Sequence, residues 1–386
     1  MEVNVKVGVG HSDDVDGEVA IAEAIAQAGS AIGEAPARGA MLLLSVDYDA
    51  ATILAAVRAR WPGLPIIGCT TDGELSSASG FADDSVLLVL FAGHDIEVAA
   101  GLAEDLSQDP LGAPARAVAA AGLEGATLCL TTPVSNTCDL TAVLRALAAA
   151  LPEGCPIVGG TAGDHLEFTL IRELYGDRVL QDALPILLFR GPVLTSIGVA
   201  SGWEPVGREY RVTSSTGHRI HELDGGPAVE IYERHWGALP AWRFTEYPLA
   251  MYTDDSDTWV LRAVFSGDKQ DGSLVCAADV PLGARVRITE VQRVSILDGA
   301  RESTTTAVRG WRGGDPAAVF VVSCAGRKWL LGTRAAEELS AVQESLGEWG
   351  DVPIFGFCSF GEMVRVPGQA AQYHNQTCVI AVIGHG

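Results

Sequence analysis

Cations are scarce in this chain of 386 residues: 26 Lys and Arg stand against 49 Asp and Glu, a formal net charge of -23 at pH 7. A surface of that sign repels phosphate, and no basic run offsets it, which argues against nucleic acid and anionic membranes as partners. The acidic residues are dispersed rather than gathered into a tail, so they read as a solvated surface that keeps an alanine-rich protein in solution. Mean hydropathy is positive, at +0.23, yet no stretch reaches the roughly 18 to 20 uninterrupted apolar residues that a spanning helix needs. No membrane insertion is expected. The start, Met1-Glu2-Val3-Asn4-Val5-Lys6, has no basic region, apolar core or cleavage site, so a cytoplasmic protein is expected. The eight cysteines, at 69, 129, 138, 155, 276, 324, 358 and 378, contain no Cys-x-x-Cys pair. They read as reduced thiols, with neither a zinc site nor a disulfide framework.

What is present is one pattern written three times: Pro65-Ile66-Ile67-Gly68-Cys69-Thr70-Thr71-Asp72-Gly73-Glu74, Pro156-Ile157-Val158-Gly159-Gly160-Thr161-Ala162-Gly163-Asp164 and Pro353-Ile354-Phe355-Gly356-Phe357-Cys358-Ser359-Phe360-Gly361-Glu362. Each copy reads as a short buried strand, a loop of small residues and a carboxylate, where a sheet presents its binding loops. An apolar run precedes each copy (41–46, 126–130, 318–323), and a segment of helical periodicity lies between (50–60, 138–151, 334–346). Another apolar strand follows each (85–91, 185–189, 377–383). The unit is strand, helix, strand, strand, and three such loops suggest one shared pocket.

Residues 3–10 alternate as a further strand, with Ser12 as cap of a helix whose apolar face is Val19, Ile21, Ala22, Ile25 and Ile32. Gly8-Val9-Gly10 falls short of a dinucleotide fingerprint because Asp13 stands where the third glycine belongs. From about residue 193 the pattern changes. Strands are expected over 193–200 and 209–213, a helix opening at Gly225 to Tyr232 with Pro227 near its first turn, and hairpin strands over 259–265, 274–277, 284–288 and 307–311, with Asp298-Gly299 as a turn. The length favours two domains. The fold class is α/β, passing to α+β in the second half, with repeated strand-helix-strand units, a mixed sheet and an antiparallel β segment.

Several of these stretches resemble the FIST family, a sensory pair of N-terminal and C-terminal domains: Gly68 to Glu74; Val212-Thr213 through Glu222-Leu223-Asp224-Gly225-Gly226-Pro227-Ala228; Ser323-Cys324-Ala325-Gly326-Arg327; Gly356 to Glu362; and His374-Asn375-Gln376-Thr377. The resemblance implies domains at 1–215 and 216–386 and a signal-transduction protein that binds a small ligand, usually an amino acid or a derivative. Some relatives are heme-based nitric oxide sensors that regulate histidine kinases. No kinase, cyclase or F-box sequence accompanies the two parts, so output is expected through a separate signalling protein.

The expected ligand-binding set is Thr70, Thr71, Glu74, Thr161, Asp164, Ser323, Cys324, Arg327, Cys358, Ser359, Glu362, His374 and Asn375, with no catalytic residue and no metal ligand. Arg327 and Glu362 would hold a ligand's carboxylate and ammonium, or would pair with each other. Glu74, Asp164 and Glu362 would receive an ammonium, or accept backbone N–H groups in tight loops. Cys324 or Cys358 with His374 forms an alternative, enzymatic reading, but no catalytic-cysteine signature surrounds them. Any of eight histidines could ligate heme, yet no Cys-x-x-Cys-His attachment site exists, and an unpigmented ligand is preferred.

Overall fold

A computed structural model of the chain describes residues 5–135, 137–237, 239–252 and 257–386. Among these, eight α-helices and four sheets form, three sheets mixed and the fourth antiparallel. The expected α/β class is the one observed. A first unit runs β1 (Lys6–Ser12), α1 (Gly17–Ile32), β2 (Ala37–Ser45), α2 (Ala50–Arg60), β3 (Ile66–Thr71), a hairpin arm of β4 (Glu74–Ser76) and β5 (Gly80–Ala82), and β6 (Val86–Ala92). A second keeps that order: β7 (Glu97–Ala103), α3 (Ala113–Ala121), β8 (Leu128–Thr131), α4 (Leu140–Ala150), β9 (Ile157–Gly160), the arm β10 (Glu173–Tyr175) and β11 (Arg178–Leu180), and β12 (Leu184–Arg190).

The third unit opens with β13 (Val193–Ala200) and is then interrupted by an insert. The insert holds β14 (Glu204–Thr216), β15 (Arg219–Leu223), β16 (Gly226–Pro227), α5 (Glu230–Trp236), β17 (Leu249–Tyr252), β18 (Trp259–Arg262), β19 (Val264–Gly267), β20 (Leu274–Cys276) and β21 (Arg285–Glu290). The unit resumes with α6 (Arg293–Gly310), β22 (Pro316–Cys324), α7 (Ala325–Leu331), α8 (Ala336–Leu346), β23 (Ile354–Ser359), the arm β24 (Glu362–Arg365) and β25 (Gln372–His374), and β26 (Cys378–His385).

The strand orders are β1-β6-β2-β3-β10-β11, β7-β12-β8-β9-β24-β25 and β13-β26-β22-β23-β4-β5. No arm joins its own sheet. The second unit's arm completes the first sheet, the first unit's arm completes the third, and the third unit's arm completes the second. The three sheets face one another across a common core in which Phe91, Phe189 and Phe355 meet, Phe91 lying 4.9 Å from Phe189 and 6.1 Å from Phe355 between ring centroids. Helices cover the outer faces. Along β2, Met41 and Leu43 enter the common core while Ala40, Leu42 and Leu44 pack under helices. Strands buried on both faces read as continuous apolar runs rather than alternations, as these do.

Some elements differ from expectation. Residues 1–4 lie outside those described, and the first strand is Lys6–Ser12. Asp16, not Ser12, caps α1, its carboxylate accepting from the amides of Glu18 and Val19, while Ser12 donates to Glu23. The buried face of α1 is Ala20, Ile21, Ala24, Ala28 and Ile32, with Val19 exposed. Small residues serve because α1 lies close on β1: a Cβ at Gly8 or Gly10 would stand 2.3 and 1.9 Å from the carbonyl oxygens of Ala28 and Ala24. Pro227 lies in a short bridge, and α5 begins at Glu230. The run 259–265 is two strands, β18 and β19. Residues 298–299 and 307–310 lie inside α6, where Ile296, Leu297, Ala300, Ser303, Thr304 and Ala307 are buried at helical spacing. Four or five alternating residues there imitate a strand.

The motif glycines are required by packing. At Gly68, Gly159 and Gly356 a Cβ would fall 1.8, 1.9 and 2.0 Å from the carbonyl oxygens of Leu42, Thr131 and Val321. Alanine at any of the three is expected to cost about 1–3 kcal/mol or more, whereas Gly314→Ala, which meets nothing within 4 Å, stays within about 0.5 kcal/mol. Denaturant midpoints of the four variants check this.

Candidate functional site

At the ends of β3, β9 and β23 the three motif loops bond to one another through main chain. The amides of Asp72, Phe360 and Gly163 donate to the carbonyls of Cys358 (3.0 Å), Thr161 (3.4 Å) and Thr70 (2.9 Å). In return the amides of Cys358, Thr161 and Thr70 donate to the carbonyls of Gly73 (2.8 Å), Gly361 (2.9 Å) and Arg172 (2.9 Å). The loops thus converge, but they close on each other: Thr70, Thr71, Thr161, Cys358 and Ser359 are all buried.

A glutamate opens each arm. Glu74, Glu173 and Glu362 lie opposite Phe357, Cys69 and Gly160, each the residue after a motif glycine. Glu173, and not Asp164, is therefore the second unit's counterpart of Glu74 and Glu362. The intervening loop hides it from the sequence pattern. Asp164 instead gathers the amides of Phe168, Thr169 and Leu170 at 2.6–2.7 Å. Each glutamate is met by the residue preceding its closing strand: Ser85 donates to Glu74 (2.5 Å), the Ala183 amide to Glu173 (3.1 Å), and Thr377 to Glu362 through both hydroxyl (2.7 Å) and amide (3.1 Å). Thr71 and Ser359 supply a second hydroxyl to Glu74 and Glu362. Ala162 stands in the corresponding place of the second unit, and Glu173 Oε1 is left without a partner.

Burial without a cationic partner raises these carboxyls, Glu74 and Glu173 to about 8 and Glu362 to about 7, each from 4.5. Beyond Ser85, His11 bridges Ser76 and Ser85 at 2.8 Å each, and burial lowers its imidazole to about 4. None of these partners carried a sequence signal beyond residue type. Lys328, from α7, reaches Asp83 at 2.6 Å and Asp72 at 3.5 Å.

Arg327 does not meet Glu362. It is fully buried and pairs with Glu338 of α8, Nε at 2.8 Å and Nη2 at 2.6 Å. Its remaining N–H groups donate to the carbonyls of Ser201, Gln376 (3.3 Å) and Ile296 (2.7 Å). Ser201 and Ile296 lie where the chain passes into and out of the insert, so Arg327 clasps both crossings. Ser323 donates to the same Glu338 at 2.5 Å. Glu338 was missed because it sits on a helix read only for its apolar residues. Burial raises the thiols of Cys324 and Cys358 well above the ordinary cysteine value, contrary to what a thiolate nucleophile needs.

A cleft of about 820 Å³ lies beside this ring, between the insert and the three-sheet body. Trp259, Val260 and Leu261 of β18 form one wall; Val199 of β13, Asp298 and Glu302 of α6, and Val364, Gln372 and His374 of the third arm form the other. Of the expected binding residues, His374 alone is among its described lining residues; Thr70 lines a separate hollow of about 270 Å³. Burial lowers His374 to about 3, leaving a neutral imidazole. Neighbouring Asn375 accepts from the Ala263 amide at 3.4 Å, and Arg262, also buried, donates to the carbonyl of Tyr373 at 3.0 Å. The 373–375 segment is thus the seam on which the insert rests.

Residues 40–226 match the FIST N domain and residues 228–365 the FIST C domain. An uncharacterized protein of Mycobacterium bovis is 24% identical over 395 residues, covering 98% of each chain. An uncharacterized protein of Mycobacterium tuberculosis is 24% identical over 408 residues, covering 98% of this chain and 99% of its own. A protein of Methanocaldococcus jannaschii is 34% identical over 77 residues, 20% of this chain and 15% of its own. Among solved structures, one described as "Cyanuric acid hydrolase: evolutionary innovation by structural concatenation" covers 99% of this chain and 100% of its own, at 10% identity and a TM-score of 0.37.

The raised glutamates fix a direction of pH dependence. Between 4.5 and about 8 the folded chain holds protons that the unfolded chain has released, so their contribution is present at low pH and is lost as pH rises. His11 and His374 act oppositely, losing stability as pH falls below 6.5. From pH 6.5 to 8 only the glutamates of this set act. Unfolding midpoints are expected to fall over that interval, and Glu74→Gln or Glu173→Gln, which keeps the neutral form, is expected to flatten the slope.

Proposed function

The chain belongs to the FIST family of sensory and signalling domains, and from that premise we propose that it is a cytoplasmic sensor binding a small polar ligand, an amino acid or a derivative, in the cleft between insert and body. The observation that carries this is the cleft's place. It is bounded by two parts of the molecule joined through the Arg327 clasp and the 373–375 seam, where a ligand with unequal affinity for two arrangements shifts their balance. Asp298 and Glu302 suit an ammonium group, Trp259 and Val260 an apolar body. The strand-end loops support the site rather than line it, with Glu362 holding Thr377 at its edge. We take the three glycine motifs as copies of one repeat, and keep the division at 215 and 216, within β14, for the two family domains. Output passes to a separate signalling protein. No helix among the described residues is long and apolar enough to cross a membrane.

Heme fits the cleft less well. His374 offers a neutral imidazole, as an axial ligand requires, but no Lys or Arg among the described lining residues meets propionates, and Glu204, Asp298 and Glu302 line the same space. The enzymatic reading with Cys324 or Cys358 finds no hydrogen bond from either thiol to His374 among the described residues.

Thermal unfolding against amino acids, their amine derivatives and hemin tests the proposal. Ligand at about 100 times its Kd adds roughly 2.7 kcal/mol, several degrees for a protein of this size. Trp259→Ala and Asp298→Asn are expected to abolish the shift. A flat panel contradicts the reading, and a Soret band lost on His374→Ala replaces it with the heme sensor.

A further inference from the structure

At the seam of the first two units, four side chains from distant points of the sequence meet. Ser45 ends β2, Asp47 follows it in the turn, Asp84 precedes β6, and His165 comes from the loop after β9. His165 Nε2 lies 3.5 Å from Asp47 Oδ2, 3.4 Å from Asp84 Oδ1 and 3.2 Å from Ser45 Oγ. Ser45 Oγ is 3.0 Å from Asp84 Oδ1, and the imidazole and two carboxylates each have an atom within 4.8 Å of the others.

Ser45 bonds to Asp84 and His165 within the ordinary range, but the two nitrogen–carboxylate distances are too long for good hydrogen bonds. One Nε2–H serves one acceptor, and N–H···O bonds run about 2.7–3.2 Å, yet three oxygens stand around this nitrogen and two of them lie farther out. They suit coordination instead. Ligand atoms about 2.1 Å from one ion are about 3.0 Å apart along an octahedral edge and about 3.4 Å along a tetrahedral one. Charge points the same way. Among the described residues neither Asp47 nor Asp84 has a Lys or Arg within ion-pair distance, and nearby Lys328 is already held by Asp72 and Asp83. Tyr48, packed at the same end, donates to the carbonyl of Asp14 at 2.8 Å, so Asp13 and Asp14 add to the negative field.

We propose that Asp47, Asp84 and His165, with Ser45 beside them, form a divalent metal site joining the first and second units. One imidazole with two carboxylates and a hydroxyl suits an ion of the Zn²⁺, Mn²⁺ or Co²⁺ class. Asp47 and Asp84 side chains are 71% and 58% exposed, so water completes the coordination sphere. The site is remote in sequence from any metal motif, which is why no residue spacing signals it.

The test uses the full chain, freed of metal with a chelator and titrated with Zn²⁺ by calorimetry and with Co²⁺ by visible absorption. One ion per chain is expected, bound at least tenfold more weakly after His165→Ala and after Asp47→Asn, and unchanged after His385→Ala. Circular dichroism and unfolding midpoints establish that the variants fold; Asp47, being exposed, is the safer substitution. Absence of saturable binding, or binding undiminished in both His165→Ala and Asp47→Asn, overturns the proposal.

Discussion

Six main-chain hydrogen bonds exchanged among the three motif loops hold the molecule together. Each unit's loop donates to and accepts from a neighbour, and the cycle returns to its start. Because those bonds use backbone, they fix the approach of the loops, while the carbonyls of β2, β8 and β22 leave no room for a Cβ at the glycines beneath them. The arms that leave each loop can then only pair with the neighbouring sheet. Closure of the three sheets around the phenylalanine core follows from the same exchange. Strands β3, β9 and β23, which would otherwise end their sheets, are thereby paired within the chain.

The insert depends on that body without being part of it. It has its own apolar core, including Tyr210, Val212, Tyr232, Leu249 and Val286. It is tied on by Arg327 at the two crossings and by Arg262 and Asn375 at the third arm. A buried Arg–Glu pair is costly to break from one side, so the clasp is a firm attachment. The cleft opens between clasp and seam and is lined by both parts. Of the buried glutamates, Glu362 links the ring to this cleft through Thr377.

Much of this architecture was legible because its signal was local. The triple glycine pattern marks β3, β9 and β23, and the intervening helices show themselves by periodicity at Ile53, Leu54 and Val57 or Val143, Leu144 and Leu147. Partners supplied from a distance were not. Arg327 stands out in the sequence, but nothing local tells a ligand or Glu362 from Glu338 as the carboxylate it meets, since only the turn after α7 brings Glu338 to it. Glu173 was hidden by a loop that lengthens the second motif. Helix α6 lost its signal to Gly299, Ser303 and Thr304, which are buried by packing rather than by their own apolarity. Arm exchange itself leaves no trace in one sequence, because the pairing partners are in other units.

Amide hydrogen exchange followed residue by residue tests the closed ring most directly. The amides of Thr70, Asp72, Thr161, Gly163, Cys358 and Phe360 are expected to exchange only through global unfolding, while amides of the insert such as Val212 and Ala228 exchange earlier through a smaller opening. Ring amides that exchange together with the insert, or ahead of it, would contradict the account.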